Sequence, residues 1–391
     1  MSRPRPWLLL LGGAIALTAG CTSDGDAQRD SRGESPRKAA VATLEPSCPV
    51  PDVHGSLPSA RSANQIVASA RLPAWEAADI GASTRLDDGR IVWVFGDTLR
   101  DIGGAQSIVA NSMLISSRTC ISQLLPPARG PVIPDARPGV VHWPMSVLAH
   151  RVDGKEHLAV LCARVERGTS GGGLDFTFLG TSVAVFDVGT DGVPQLQSWR
   201  KITPDDRDVH QVNWGAASFH DGRSIYAYGT RLPPGKAVFG HELYVARLPL
   251  ATPTDQSTYE FWDGRRWQAD PTRAAAILPS QGGVSQTLSV HPTDAGTYVA
   301  VSKRDGDLGD FVYAWTAPTP HGPWSPHKGV PAPTDFDDGE LEYAPLAHPE
   351  VPMANGKLLV SVSRNTTDLQ RLLKDPELGV PRFVQVSLPD S

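Results

Sequence analysis

Two aspartates, Asp79 and Asp97, lie at nearly equal distances from a predicted tight turn and have the residue type and spacing for acid-base chemistry. The turn is Asp87-Asp88-Gly89-Arg90, where Asp-Gly supplies the positive φ of a β-hairpin between the strand-like runs 80–86 and 91–95. Antiparallel pairing then brings the two carboxylates side by side at the open end of the hairpin. Two such neighbours can divide the work of a proton donor and a base, because their closeness raises the pKa of one of them.

Glu342 is the third candidate acid, in the acidic segment DDGELEYAP that leads into a predicted strand. We expect Asp79 to be the nucleophile or base and Glu342 the proton donor, with Asp97 either tuning a neighbour or acting as the second carboxylate. Structural alternatives remain open. The Gly-Asp-Thr sequence at Asp97 is also good turn chemistry, and acidic loops are often only solvated.

The hairpin's second strand recurs five times, and each copy begins with a turn glycine and ends in a polar pair. The copies are GRIVWVFGDT (89–98), GKEHLAVLCAR (154–164), GRSIYAYGTR (222–231), GTYVAVSKR (296–304) and GKLLVSVSRN (356–365). The period of about 60 to 70 residues, with no long amphipathic helical pattern, predicts an all-β fold, a five-bladed β-propeller. The alternative is a two-sheet sandwich, which five in-register copies disfavour.

Each copy follows a comparable first strand, predicted at 78–83, 142–147, 213–218, 284–289 and 342–347. Further predicted strands at 176–188, 241–250, 310–317 and 382–388 complete the later blades, and Ser112 to Ser116 forms a third strand in the first. The start of each first strand and the end of each second strand then lie on one face, around the mouth of a central channel. This geometry selects a ring of residues from all five blades.

The ring combines the aromatic, amide and guanidinium groups that a carbohydrate site uses for stacking and for hydrogen bonds to hydroxyls. Tryptophans at such places also pack between blades, and single histidines are often structural, so both readings stay open. The candidate substrate-binding residues are Asn111, His142, Trp143, His210, Asn213, Trp214, Arg231, Gln286, Tyr343 and Arg364, and the ring also includes Arg164, Lys303, Arg304 and Asn365.

The amino terminus has the form of an export signal, with Arg3 and Arg5, an apolar run over 7–17 and small residues before Cys21. Leu-Thr-Ala-Gly-Cys resembles the bacterial lipoprotein signal, which implies lipidation of Cys21 and an anchor on the outer face of the bacterial cell membrane. Simple secretion is the alternative. Residues 22–45 are polar and predict a flexible linker, so that the single propeller domain spans 46–391.

The remaining cysteines and the net charge indicate which disulfide and which partners to expect. Export permits a disulfide, and Cys48 and Cys120 are the candidate pair because Cys162 lies in an apolar run. The net charge is −6 and no basic stripe is present, which argues against a nucleic-acid partner. No nucleotide, flavin, haem or zinc signature is present, and we expect no cofactor and a monomer; a structural calcium ion in the channel stays open.

The segments Trp93-Val94-Phe95-Gly96-Asp97-Thr98 and Asn111-Ser112 resemble a family of secreted bacterial five-bladed propellers of unknown function. That family is similar to arabinanase and fructosidase propellers and includes enzymes that cut D-arabinan of mycobacterial-type cell walls within the chain. The resemblance implicates Asp79 and Asp97 as active-site carboxylates. Related glycosidases place further acids on later blades, whereas here blades two to four have no acid at the start of the first strand and Glu342 alone fills such a place.

Two functional hypotheses follow from these observations. The first is a surface-anchored glycoside hydrolase that acts on an arabinan-like, furanose-rich wall or environmental polysaccharide. The second is a non-catalytic propeller lipoprotein that binds a glycan or a protein. The absence of acids in the middle blades favours the second hypothesis, and the paired aspartates favour the first.

Overall fold

Short β-branched runs separated by glycine turns fold into five antiparallel sheets in sequence order, which confirms the predicted five-bladed propeller. The structure, a computed structural model, describes residues 41–50, 55–168, 175–235, 240–335 and 338–388. The innermost strand of every blade contributes to the wall of a central channel of about 220 Å³. Apolar clusters fill the spaces between successive blades, and Cys162 is buried in the cluster between blades 1 and 2.

Blades 1 and 2 contain the longest strands. Blade 1 has the sheet order β1-β6-β5-β3-β2, with β4 paired to β3, and blade 2 has the order β10-β9-β8-β7. Their elements are β1 (Thr43–Glu45), α1 (Ala60–Ser69), β2 (Ala77–Arg85), β3 (Ile91–Ile102), β4 (Ala105–Val109), β5 (Ser112–Ser116), β6 (Ile121–Leu125), β7 (Val140–Val152), β8 (Lys155–Arg167), β9 (Phe176–Val188) and β10 (Pro194–Lys201).

Blades 3, 4 and 5 have five, four and three strands, each added in chain order. The strands are β11 (Asn213–His220), β12 (Ser224–Arg231), β13 (Glu242–Pro249), β14 (Glu260–Trp262), β15 (Trp267–Gln268), β16 (Ser289–Pro292), β17 (Tyr298–Lys303), β18 (Phe311–Ala317), β19 (Ser325–Pro331), β20 (Glu340–Ala347), β21 (Leu358–Thr366) and β22 (Arg382–Val386). The helix α2 (Leu369–Lys374) and single 3₁₀ turns at Gln256–Thr258, Pro271–Arg273 and Pro376–Gly379 lie in the connections. No helix in the described ranges is long and apolar enough to cross a bilayer.

One predicted strand is wrong. The first strand of blade 4 was expected at 284–289, but β16 begins only at Ser289. Residues 284–288 instead bond to blade 3, since Val284 pairs with His241 and the Leu288 amide donates to the Ala216 carbonyl. This segment has the alternation of a strand, but its ladder partners lie on the neighbouring blade.

The amino-terminal segment joins blades 1 and 5. Strand β1 extends the outer edge of blade 1 and lies within the predicted linker 22–45, so the folded unit begins before residue 46. A disulfide links Cys48 to Cys120. The helix α1, which the sequence pattern did not predict, begins at the N-cap Ser59, and its Asn64 amide exchanges two hydrogen bonds with the main chain of β22. It therefore covers the edge where blade 5 has no fourth strand. The predicted lipidation site Cys21 and the signal sequence lie outside the described residues.

Candidate active site

The innermost strands of blades 1 and 5 are distorted where they reach the channel mouth. The pairing register of the β-ladder is shifted around Ile80 in β2 and between Tyr343 and Leu346 in β20. Ile80 has φ 69° and Ala344 has φ 43°, a left-handed conformation that is costly for a residue with a Cβ and that concentrates at functional sites. Asp79 and Tyr343 directly precede these two residues. The distortions therefore set the positions of two side chains that meet across the blade boundary.

Asp79 is a half-buried residue whose carboxyl group has one strong hydrogen-bond donor. The Tyr343 hydroxyl donates to Asp79 Oδ2 at 2.8 Å, and Asn365 Nδ2 lies 3.5 Å from the same hydroxyl. On the other side, a Cβ at Gly96 would lie 2.4 Å from Asp79 Oδ1, so only glycine allows this approach. Burial, and then the negative charge of Asp97, raise the pKa of Asp79 to about 7, while the Tyr343 hydrogen bond opposes the rise.

Asp97 has a different environment, although the hairpin places it beside Asp79. Arg167 pairs with both of its carboxylate oxygens, at 3.0 and 2.5 Å, and Trp143 Nε1 donates to Oδ1 at 2.8 Å. Its side chain is 29% exposed, so the ion pair lies at the open mouth of the channel. Asp97 thus carries a compensated negative charge next to a carboxyl group that resists ionisation.

Arg167 was not among the predicted site residues, because the predicted second strand of blade 2 ended at Arg164. Strand β8 continues for three more residues and delivers Arg167 to the mouth. There its guanidinium lies 5.8 Å from the centre of the Trp143 ring, and Phe176 packs edge-on against the same indole. Trp143 is half-buried, so its ring borders the carboxylates and retains exposed surface.

Glu342 does not accompany Tyr343. Adjacent residues of a strand face opposite sides of a sheet, and Glu342 pairs with Arg382 through both oxygens, at 2.9 and 2.7 Å, with 20% of its side chain exposed. Its carbonyl oxygen accepts a hydrogen bond from the buried Lys303 Nζ at 2.5 Å. The prediction that Glu342 faces Asp79 as proton donor is wrong, and Tyr343 is the residue of this strand that reaches Asp79.

Asn111 and His142 are fully buried, which corrects their expected place at the binding surface. The Asn111 amide bonds to the main chain of Ile133 and to the His142 carbonyl, at 2.8 to 3.0 Å. His142 Nδ1 lies 2.8 Å from the Pro134 carbonyl oxygen, and burial lowers its pKa. Both side chains fix the loop before β7 behind the mouth.

Blade 3 also contributes structural residues where ligand contacts were expected. Trp214 is 7% exposed and packs against Tyr244 and Phe261 between blades 2 and 3, so it is not a stacking platform. Arg231 Nε donates to the His210 carbonyl at 2.8 Å, and His210 Nδ1 lies 2.8 Å from the Leu232 carbonyl oxygen. These contacts hold two connections of blade 3 together.

The remaining ring residues are divided between structural and unassigned positions. Arg164 is completely buried among main-chain carbonyls and Asp205, and Lys303 is buried with its pKa lowered to about 8, chiefly by burial. Gln286 and Arg364 are half-buried, and Arg364 borders a cavity of about 610 Å³ between blades 1 and 5. Asn213 is buried, and its amide lacks a hydrogen-bond partner in the structure as described. Within the described ranges, no three or more His, Cys, Asp or Glu side chains cluster as metal ligands would.

Comparisons with known proteins agree with the fold. The family model described as a domain of unknown function, DUF5005, matches residues 68–387. No curated protein matches the sequence. The crystal structure of a Bacteroides ovatus protein, whose assignment as a hydrolase is provisional, is 17% identical with a TM-score of 0.64; the alignment covers 88% of this chain and 93% of that one. At this identity, the likeness shows a shared fold.

Two glycoside hydrolase structures are more distant. An endo-arabinase from Bacteroides thetaiotaomicron is 12% identical with a TM-score of 0.42, covering 83% of this chain and 98% of that one. A GH43_1 enzyme from Xanthomonas citri is 16% identical with a TM-score of 0.45, covering 84% and 92%. Similarities this weak carry no argument about the site, which has to be interpreted from its own geometry.

Proposed function

This chain belongs to the DUF5005 family of unknown function, and we propose that it is a glycoside hydrolase. The observation that carries the proposal is the pair Asp79 and Asp97 at the channel mouth. The two carboxyl groups are neighbours, yet burial and the Asp97 charge raise the pKa of Asp79 to about 7, whereas Asp97 is ion-paired with Arg167. A carboxyl group with a raised pKa beside an ion-paired carboxylate is what the cleavage of a glycosidic bond requires.

The geometry assigns the roles differently from the sequence expectation. Asp79 holds a proton near neutral pH, so it is the general acid that gives this proton to the departing glycosidic oxygen. Asp97 is the base or nucleophile: it either takes a proton from the water that attacks the anomeric carbon, or forms a glycosyl ester that water then cleaves. In both routes water supplies the hydroxyl of the new reducing end and Asp79 regains its proton during turnover.

Neighbouring side chains support this chemistry. Tyr343 fixes the rotamer of Asp79 through its 2.8 Å hydrogen bond. Trp143 orients Asp97 and offers half of an indole surface against which the apolar face of a sugar ring can pack. Arg167 keeps the charge of Asp97 compensated until the positive charge develops on the sugar in the transition state.

We further propose an arabinan-like, furanose-rich polysaccharide as substrate and a lipid anchor at Cys21 that places the enzyme on the outer face of the cell membrane. The substrate class is supported by the resemblance of the Phe-Gly-Asp-Thr strand, and the location by the sequence before Cys21. Neither depends on the assignment of Asp79 and Asp97.

A non-catalytic glycan-binding propeller is the second candidate. The specific observation in its favour is that Glu342 and Asp97 are both held in two-pronged pairs with arginine, which leaves Asp79 as the one candidate acid without a basic partner in the described part of the site. A binding protein needs no acid with a raised pKa, so this alternative leaves the environment of Asp79 unexplained.

The test measures product release by chromatography after the purified protein is incubated with arabinan, arabinogalactan and a fructan. We expect release by the wild type, none by Asp79→Asn or Asp97→Asn, and wild-type release by Asp153→Asn, a control in an exposed turn on the opposite face of the disc. Binding without release by the wild type would support the second candidate. Equal release by wild type and Asp79→Asn would refute the assignment of the acid.

A further inference from the structure

Buried polar atoms without hydrogen-bond partners are concentrated where blades 3 and 4 meet at the channel mouth. Among the described residues, Asn213 Oδ1 and Nδ2, His241 Nδ1 and Ser285 Oγ all belong to this group. Asn213 is 5% exposed and Ser285 is fully buried. Unpaired buried polar groups are uncommon in folded proteins because each one has given up its hydrogen bonds to water. Four such atoms at one place require an explanation.

The contacts around these atoms show that they face a single seam. Asn213 and Thr230 are cross-strand partners, so their side chains lie on the same face of blade 3, and Thr230 Oγ1 donates to the Gln286 carbonyl of blade 4 at 2.8 Å. On the next strand, His241 pairs with Val284, the neighbour of Ser285. The Asn213 amide and the His241 imidazole therefore face the boundary between blades 3 and 4, and Ser285 belongs to the segment of chain that forms this boundary.

The outer end of the seam is more exposed than its interior, and a chain of contacts links it to the proposed catalytic residues. Gln286, His241 and Asp307 are half-buried at its outer end, and Asp307 Oδ2 accepts a hydrogen bond from the main-chain N–H of Gln286 at 3.3 Å. One ammonium group, Lys303 Nζ, binds both the Asp307 carbonyl at 2.9 Å and the Glu342 carbonyl at 2.5 Å. Glu342 precedes Tyr343, the residue that bonds to Asp79, so the seam and the acid are joined by a short run of direct contacts.

We propose that Asn213, His241, Ser285, Gln286 and Asp307 form a second sugar subsite, here called the blade 3–4 subsite. This proposal rests on the proposed glycoside hydrolase function and specifies its substrate as an oligosaccharide or polysaccharide that covers the mouth. A sugar hydroxyl donates and accepts, which matches an amide, an imidazole and a serine hydroxyl that each have spare capacity. The carboxylate of Asp307 adds an acceptor for hydroxyl protons at the open end.

The subsite predicts that affinity depends on chain length. A ligand held only at Asp79, Asp97 and Trp143 gains nothing from the blade 3–4 subsite, whereas a longer ligand replaces its hydration there with direct hydrogen bonds. Loss of the Asn213 amide therefore weakens long ligands selectively. Uniform weakening at all lengths would instead indicate a general disturbance of the mouth.

The experiment is a calorimetric titration of full-length protein carrying Asp79→Asn, which keeps the site occupied without turnover. The probes are α-linked arabinofuranosyl oligosaccharides of two to six sugars. We expect Asn213→Ala in this background to raise the Kd of the longest oligosaccharide about tenfold and to leave that of the shortest unchanged. Asn355→Ala, in a turn on the opposite face of the disc, is the matched control and changes neither Kd.

The subsite would be refuted if Asn213→Ala leaves the Kd unchanged at every oligosaccharide length, which means that only water fills the seam. It would also be refuted by an equal rise in Kd at every length, or by the absence of binding of any oligosaccharide. Gln286→Ala, at the half-buried end of the seam, repeats the test if Asn213→Ala does not fold. Hydrolysis by the wild type is measured in parallel. Length-dependent binding that responds to Asn213→Ala without hydrolysis would refute the enzyme and keep the subsite, while hydrolysis with length-independent binding would do the reverse.

Discussion

Tyr343→Phe separates the two roles open to Asp79. In the wild type the Tyr343 hydroxyl donates to Asp79 Oδ2 at 2.8 Å and holds the pKa of the carboxyl below the value that burial and Asp97 alone would set. A hydrogen bond to a charged group contributes about 1.5–3 kcal/mol. Because a protonated Asp79 keeps part of that interaction, we expect a net rise of about 1 pKa unit, from about 7 to about 8.

The expected result is an increase in relative activity at alkaline pH. If Asp79 is the general acid, the protonated fraction at pH 8 increases from about 10% to about 50%, so relative activity at that pH increases about fivefold. If Asp79 were the base, the same shift would lower activity at pH 7 about fivefold instead. The assay is the pH dependence of kcat/KM on the polysaccharide that the wild type cleaves.

Tyr298→Phe is the control for this prediction. It removes a tyrosine hydroxyl at the start of β17, on the opposite face of the disc, and leaves the pH profile unchanged. The assignment of Asp79 as the proton donor would be refuted if the alkaline limb of the kcat/KM profile stays in place, or moves to lower pH, in Tyr343→Phe. A uniform loss of activity at all pH values would show that Tyr343 acts only on geometry.

The other predictions concern the same site and the stability of the propeller. Asp97→Asn abolishes turnover and, since the Asp97 charge raises the pKa of Asp79, lowers that pKa, which NMR titration of the Asp79 carboxyl measures. Gly96→Ala places a Cβ 2.4 Å from Asp79 Oδ1 and lowers kcat roughly tenfold to a hundredfold, with a melting temperature measured alongside to separate displacement from unfolding. Cys48→Ser removes a disulfide across 72 residues and lowers the free energy of unfolding by about 4 kcal/mol in denaturant titrations. Burial lowers the pKa of His150, His291 and His348 to about 4, 4 and 3, so each of them lowers the free energy of unfolding by about 2 kcal/mol when the pH falls from 7 to 5. The reason is that below pH 6.5 the unfolded chain takes up protons at these histidines that the folded chain does not bind; a free energy of unfolding that stays constant between pH 7 and 5 would contradict this.

The sequence by itself determined the blades, because their ladders join chain neighbours. Strand β9 has the bounds that its alternating pattern predicts, 176–188, and the pairing of β2 with β3 follows from the Asp-Gly turn between them. The closeness of Asp79 and Asp97 depends only on that local register. It could therefore be predicted without knowing where any other blade lies.

Contacts between blades could not be predicted from the sequence. The alternation along β20 tells that Glu342 and Tyr343 face opposite ways, but it does not tell which of them faces blade 1, and a register shift in the strand makes simple counting unreliable. The same limit applies to Trp214, whose burial depends on blade 2, and to residues 284–288, whose ladder partners belong to blade 3.

What the sequence determined, then, is the number of blades and the pair of aspartates, both set by hydrogen bonds over short stretches of chain. What only the tertiary structure decided is the proton affinity of Asp79, since its burial, its tyrosine donor and the Arg167 pair of its neighbour come from blades 5 and 2. A carboxyl group's pKa is a property of everything packed around it. No local pattern encodes it, because those groups are brought together only when the propeller closes.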